Sequence, residues 1–145
     1  MLALCFTAAA CSELTAMMNY VLFSPLSGTV YLNGIVVPNA HVERRYKWVW
    51  GEKSDTDETT TNKQGRFSMP EISTRSMSAW FPHEPIVEQD IDVFVDAQKY
   101  QVWGGKRSNY RLNGEFDDKP IKIRIELTAK VTQQGRTMGR FTFEP

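Results

Sequence analysis

Alternation with a period of two dominates the chain from Asn19 onward, and its clearest case is Ile121–Leu127. There Ile121, Ile123, Ile125 and Leu127 fall on one side, with Lys122, Arg124 and Glu126 on the other. Successive side chains of a strand point to opposite faces, so this run predicts a strand with one dry and one wet face. Ile91, Val93 and Val95 alternate with Asp92, Phe94 and Asp96 in the same way. Further β-rich runs cover 28–32, 40–50, 66–69, 77–81 and 99–103. Turn chemistry separates them. Asn33-Gly34 suits a tight hairpin, Pro38-Asn39 interrupts pairing at a strand entrance, and Gly65 closes the polar stretch after a threonine-rich edge. Pro70 ends one strand, Pro82-His83-Glu84-Pro85 is a break, and 104–114 reads as a loop with its own Asn113-Gly114 turn. No segment carries a helical apolar stripe. The pattern predicts an all-β fold, a single antiparallel β-sandwich.

Residues 19–130 are expected to form that sandwich. In 131–145, Phe141 and Phe143 alternate like a last edge strand, while Gly135 and Gly139 equally suit a loose extension. A chain of 145 residues is long enough to bury one core by packing alone. Seventeen basic residues balance seventeen acidic ones, which argues against nucleic acid as a partner, because phosphate binding draws on a basic excess. Both cysteines, Cys5 and Cys11, precede Ser12, so the body holds no disulfide, no thiolate metal site and no cysteine nucleophile.

Leu2–Ala10 is apolar apart from Thr7 and is too short to span a bilayer, which takes about 20 residues. Residues 1–18 read instead as a signal segment. Ala8-Ala9-Ala10-Cys11 resembles a bacterial lipoprotein signal, which implies lipidation at Cys11, a periplasmic or outer-membrane location and membrane contact only through that anchor. The match departs from the pattern at Ala8, where leucine is preferred, and lacks a positive leading region. Translation starting at Met17 or Met18 would instead place the protein in the cytoplasm.

Gly28-x-Val30, Asn33-Gly34, Pro38-x-Ala40-x-Val42 and Asn62-x-x-Gly65-x-Phe67-x-x-Pro70 together resemble the transthyretin-like (prealbumin-like) domains. That group includes the carboxypeptidase regulatory-like domains and many bacterial envelope sandwiches. The resemblance covers 24–72 and continues beyond only as strand rhythm. It implies that Val30, Ala40, Val42 and Phe67 fill the inter-sheet core and that Gly65 turns the chain so that Phe67 can enter it. It implies no activity, since this sandwich hosts many functions. The "SPLSGTV…NG" opening is also similar to that of a group of bacterial single-domain proteins, and no defined biochemistry comes with it.

Chemistry-bearing residues are few. His41 and His83 lack the spacing of metal ligands, and both are expected at the surface. Relatives that hydrolyse 5-hydroxyisourate end in Tyr-Arg-Gly-Ser, whereas this chain ends Phe-Thr-Phe-Glu-Pro. Tyr100, Tyr110, His41 and His83 match intradiol dioxygenases in number of ligands only. Glu88, Asp90, Asp92 and Asp96 are expected on a solvated face, the rival being a calcium site. The chain contains no nucleophile elbow, phosphate-binding loop or dinucleotide fingerprint. No catalysis, cofactor or metal is therefore expected.

What stands out is Val42–Trp50. Alternation puts Arg44, Tyr46, Trp48 and Trp50 on the face of Val42, with Glu43, Arg45, Lys47 and Val49 on the other. One β-bulge after Val42 would exchange the faces, and some of the aromatics must pack in the core. Such aromatic and arginine clusters mark binding surfaces. Arg44, Arg45, Tyr46, Trp48 and Trp50, together with His83 and Arg107, are the expected contacts for a protein partner. By analogy with small envelope lipoproteins, the partner would be a toxin and this chain an immunity or accessory protein. The alternatives are a carbohydrate-binding module or an enzyme using the same aromatics. On location, the expected outcome is that the mature protein partitions into detergent with acyl mass on Cys11, and that Cys11→Ala releases it. A soluble product whose intact mass begins at Met1 would overturn this.

Overall fold

The computed structural model describes residues 19–76, 81–131 and 137–145. The segment containing Cys11 and the run 77–80 lie outside them. Among the described residues eleven strands follow one another: β1 Asn19–Phe23, β2 Leu26–Leu32, β3 Ile35–Val36, β4 His41–Trp48, β5 Lys53–Thr60, β6 Arg66–Met69, β7 Ile72–Arg75, β8 Val87–Val95, β9 Gln98–Arg107, β10 Ile121–Val131 and β11 Thr137–Phe143. Among the described residues there is no helix. The protein is an all-β sandwich.

One layer has the order β6–β2–β10–β11, with the short β3 continuing the β6 side of β2. The other has the order β5–β4–β8–β9. Antiparallel pairing dominates, with two departures. β2 runs parallel to β10 over seven register pairs, from Leu26↔Ile121 to Leu32↔Leu127. β11 meets β9 in parallel at Met138↔Gln101, which joins the two layers along one side. A separate two-stranded sheet, β1–β7, lies at the Trp48 end of the sandwich.

Local chemistry explains the turns. Asn33 and Gly34 have φ of 52° and 80°, the left-handed pair that returns β2 into β3. Gly65 has φ 71°. Its N–H donates to Asn62 O, and Asn62 Oδ1 accepts from the N–H groups of Gln64 and Arg66, which closes the turn into β6. Thr61 ties this corner to the next: Ala40 N–H donates to its Oγ1, which donates to Val37 O at 2.6 Å.

The two layers share one core. Val30, Phe67, Met69, Ile121, Ile123, Ile125 and Leu127 from the first meet Ala40, Val42, Ile91, Val93, Tyr100 and Val102 from the second, all buried. The alternation read from Ile121–Leu127 is therefore the packing pattern itself. Three expectations are corrected. The strand expected over 40–50 ends at Trp48, and Val49–Glu52 turn toward β5. Gly104–Arg107 continue β9 instead of opening a loop, because they pair with Val87–Asp90. The tail is neither an edge nor an extension: β11 pairs with β10 from Ile123↔Phe143 to Leu127↔Gly139 and stands between β10 and β9. Phe141 stacks on Trp103 and Phe143 on Phe116, which seals that seam.

The sheet path ends at β3 and β6, beside β2, on one side and at β5 on the other. Strand β5 is exposed along most of its length and guarded by Lys53, Asp55, Asp57 and Glu58, charges that discourage pairing with another chain.

Phe67 is 6% exposed between the layers. Phe67→Ala is expected to cost about 3–5 kcal/mol in urea unfolding, and Gly65→Val about 1–3 kcal/mol, because valine is strained at positive φ. A loss under about 1 kcal/mol for Phe67→Ala would contradict this packing.

Candidate aromatic interaction site

The end of the sandwich where β4 gives way to β5 collects most of the aromatic residues singled out in the sequence. Inward alternation along β4 puts Val42, Arg44, Tyr46 and Trp48 on the core side. Trp48 is buried with Leu22 and Val87. Gly51 closes the turn over it: a Cβ there would lie 2.0 Å from the indole, so no other residue fits without moving the ring. Tyr20 of β1 stacks on Trp48 at 5.8 Å, and Tyr110 meets it edge-on at 6.1 Å.

A line of hydrogen bonds leads outward from this indole. Trp48 Nε1–H donates to Tyr110 Oη at 2.8 Å, and Tyr110 Oη lies 2.9 Å from His83 Nε2. His83 Nδ1 lies 2.9 Å from Phe81 O. Indole can only donate and a carbonyl can only accept. The neutral Nδ1–H tautomer of His83 is the one that satisfies every proton: Tyr110 donates to Nε2, and Nδ1–H donates to Phe81 O. Burial raises the Tyr110 phenol above its ordinary pKa, and the Trp48 hydrogen bond partly offsets this. Trp50 then stacks on His83 at 4.5 Å with 8° between planes. It is 42% exposed, beside Val49 at 45%, and Phe81 is 67% exposed. Three large apolar side chains are thus exposed in these turns, while the layer beneath is held by hydrogen bonds.

Tyr110 is set in place by a buried ion pair. Arg107 Nη1 donates to Glu115 Oε1 at 2.7 Å, and both side chains are 1% exposed. Arg107 Nε donates to Asn109 O at 2.7 Å, and its Nη2 donates to Arg111 O, so one guanidinium holds the carbonyls on both sides of Tyr110. Glu115 accepts from Ser24 N–H (2.9 Å), Ser24 Oγ (2.5 Å) and Gln89 Nε2 (3.0 Å). Burial pushes its carboxyl up, but the Ser24 and Gln89 hydrogen bonds and the Arg107 charge outweigh this and leave it below the usual range. Arg44 makes a second buried anchor. It donates to Ser24 O, Asp57 Oδ2 and Pro70 O and lies over the Phe23 ring. Burial lowers its pKa, with Asp57 opposing.

The expected contact residues therefore divide. Trp50 and His83 come together at the surface, and half-buried Tyr46 packs under the same end. Arg44, Trp48 and Arg107 are at most 4% exposed, so they cannot meet a partner and act as internal anchors. Inward-facing arginines read as surface residues in a sequence because the elements that cover them, β1, β7 and the 108–120 loop, are not visible there. Arg45 points to the opposite face and is bound by Glu43 and Asp92, and Lys47 lies 4.0 Å from Glu88, so the expected basic cluster is already neutralised. Asp92, expected in solvent, is 1% exposed beneath Arg45 and Lys99. His41 sits at the far end of β4 from His83, and Tyr100 is in the core, so the four residues counted for iron do not converge. Tyr110 and Tyr20 complete the site and had been missed. The signal for Tyr110 is its place three residues after Arg107, in the stretch read as a loop.

Residues 26–130 match the family described as a domain of unknown function, DUF6795. The chain belongs to this family. No curated protein matches it. The DUF6795 match begins at the first residue of β2 and ends within β10, so it contains Trp48, Trp50, His83, Arg107, Tyr110 and Glu115. Tyr20 and β11 lie outside it.

Glu115→Gln leaves the buried Arg107 without its counter-charge and is expected to cost about 3–5 kcal/mol at neutral pH. Because the folded pKa of Glu115 is lowered, its stabilisation is complete above the unfolded carboxyl range and is lost as pH falls through the folded value. The gap between wild type and variant in urea titrations should therefore narrow on acidification. A gap independent of pH would contradict this role for Glu115.

Proposed function

We propose that this DUF6795 protein is a non-catalytic binding module that presents its Trp50 end to another protein. The observation that carries the reading is Trp50 stacked on His83, with Val49 and Phe81 exposed beside it. Aromatic anchors bury large area with few rotors to freeze, and they dominate interface energetics when the protein already holds them in place. Here the Trp48–Tyr110–His83 line supplies that support. Arg107, two steps deeper, fixes Tyr110 without touching the partner.

The strand order β6–β2–β10–β11 against β5–β4–β8–β9, with β2 parallel to β10, supports a transthyretin-like arrangement. The envelope location, with anchoring at Cys11, and a role as an immunity or accessory protein against a delivered toxin belong to this proposal and rest on resemblance. A glycan-binding module would call for flat aromatic rings ringed by carboxylates and amides. The stack of Trp50 on His83, with the apolar Val49 exposed next to it in the chain, supports a protein partner.

The test uses wild type and Trp50→Ala as baits, with the thermal midpoint of each measured alongside. Trp50→Ala is expected to weaken capture by about 30-fold, a hot-spot loss of about 2 kcal/mol, with little change in midpoint. Capture that is equally strong, or that falls only because the fold collapses, would refute the interface.

A further inference from the structure

The outer face of β4 carries an arrangement that alternation alone does not reveal. Glu43 is the direct cross-strand partner of Glu58 on β5 and of Asp92 on β8, so three carboxylates form one row across three strands. Like charges directly opposite in a sheet repel. Positive charge answers this row on one side only. Arg45 reaches Glu43 Oε1 at 3.2 Å and Asp92 Oδ2 at 2.7 Å, and Lys99 reaches the same Asp92 oxygen at 3.0 Å. These contacts with Asp92 are ion pairs, and neither of its buried oxygens has a hydrogen-bond partner. On the other side, Glu58 meets no lysine or arginine among the described residues. Its neighbour is His41 Nε2, 3.3 Å from Glu58 Oε2.

We propose that His41, Glu43 and Glu58 form a binding site for a divalent transition metal ion of the zinc class. His41 Nε2 and one carboxylate oxygen from each glutamate lie within 4.8 Å of one another. Around an ion with bonds of about 2.0–2.1 Å, tetrahedral ligands stand about 3.3 Å apart. The His41–Glu58 pair already has that spacing, and Glu43 closes the remainder by a side-chain adjustment. The backbone beneath is fixed by eight consecutive register pairs between β4 and β5. Phe94 packs on the imidazole at 5.6 Å, and Arg45 holds one Glu43 oxygen while leaving the other available. Such outer partners orient ligands and tune affinity. One imidazole nitrogen with two carboxylates suits zinc or a neighbouring transition ion; calcium and magnesium take oxygen ligands throughout. Three protein ligands leave a position for water or for a donor from a partner.

The test is calorimetric titration of the full chain with zinc chloride, in a background where Cys5→Ser and Cys11→Ser remove the thiols as competing ligands. One saturable site and a rise in thermal midpoint with zinc are expected. His41→Ala and Glu58→Gln should each weaken binding by at least about tenfold, the scale seen for losing even an outer partner. Glu88→Gln, on the same face of β8, should leave binding unchanged. Without metal, Glu58→Gln should melt no lower than its parent, since it removes one of two opposed charges; with zinc it should melt lower. Should His41→Ala fail to fold, the exposed Glu58→Gln carries the comparison. Absence of a saturable site, affinity retained in Glu58→Gln, equal loss in Glu88→Gln, or an equal midpoint shift with calcium would each overturn the proposal.

Discussion

The ion pair between Arg107 and Glu115 is the constraint around which one end of the sandwich is organised. Two opposite charges that are 1% exposed survive only because nearly every lone pair and proton around them is used. Ser24 contributes most. Its N–H and Oγ bind Glu115, its carbonyl accepts from Arg44, and its Oγ accepts from Asn113 N–H. A two-residue link between β1 and β2 is thereby fastened to β9, β8 and the 108–120 loop. The small β1–β7 sheet has little core of its own and takes its position from this junction.

Rigidity propagates outward from there. Arg107 holds the carbonyls of Asn109 and Arg111 on either side of Tyr110, Tyr110 Oη accepts a hydrogen bond from the Trp48 indole, and His83 Nε2 lies within hydrogen-bond distance of the same Oη. Each link is satisfied by the next, so an exposed ring at the surface inherits order from charges in the interior. An apolar surface built on loops would ordinarily be mobile. Here two turns and a loop converge on a fixed stack.

Period-two alternation made the layers legible in advance, because burial of one strand face is written directly into residue type. Val30, Val42, Phe67 and the Ile121–Leu127 series all lie where that logic puts them. It failed at Arg44, Trp48, Arg107 and Asp92. Alternation tells which face a residue takes but not whether another element later covers that face. Arginine and aspartate then read as solvated even when a counter-charge lies across the strand. The grouping of His41 and Glu43 with Glu58 was hidden for a related reason. Sequence spacing within β4 is visible, whereas the register of β5 beside it exists only once the sheet has formed. Tyr110 falls between these cases: it shares a stretch with Arg107, an expected contact, but its place depends on that arginine being internal.

The parallel pairing of β2 with β10 has a consequence for how the chain is made. β2 forms most of its layer-building contacts with a strand that lies nearly a whole sandwich away along the chain. During synthesis, Leu26–Leu32 emerges early but cannot complete its sheet until Ile121–Leu127 follows. Until then it can recruit only the short β3 and β6. Topologies dominated by such distant contacts fold slowly, because loop closure must precede the contacts that reward it. The nascent protein therefore travels through most of its translation with an open apolar strand. The charged residues of β5, which emerges in the meantime, are what the nascent chain has to set against that exposed apolar face.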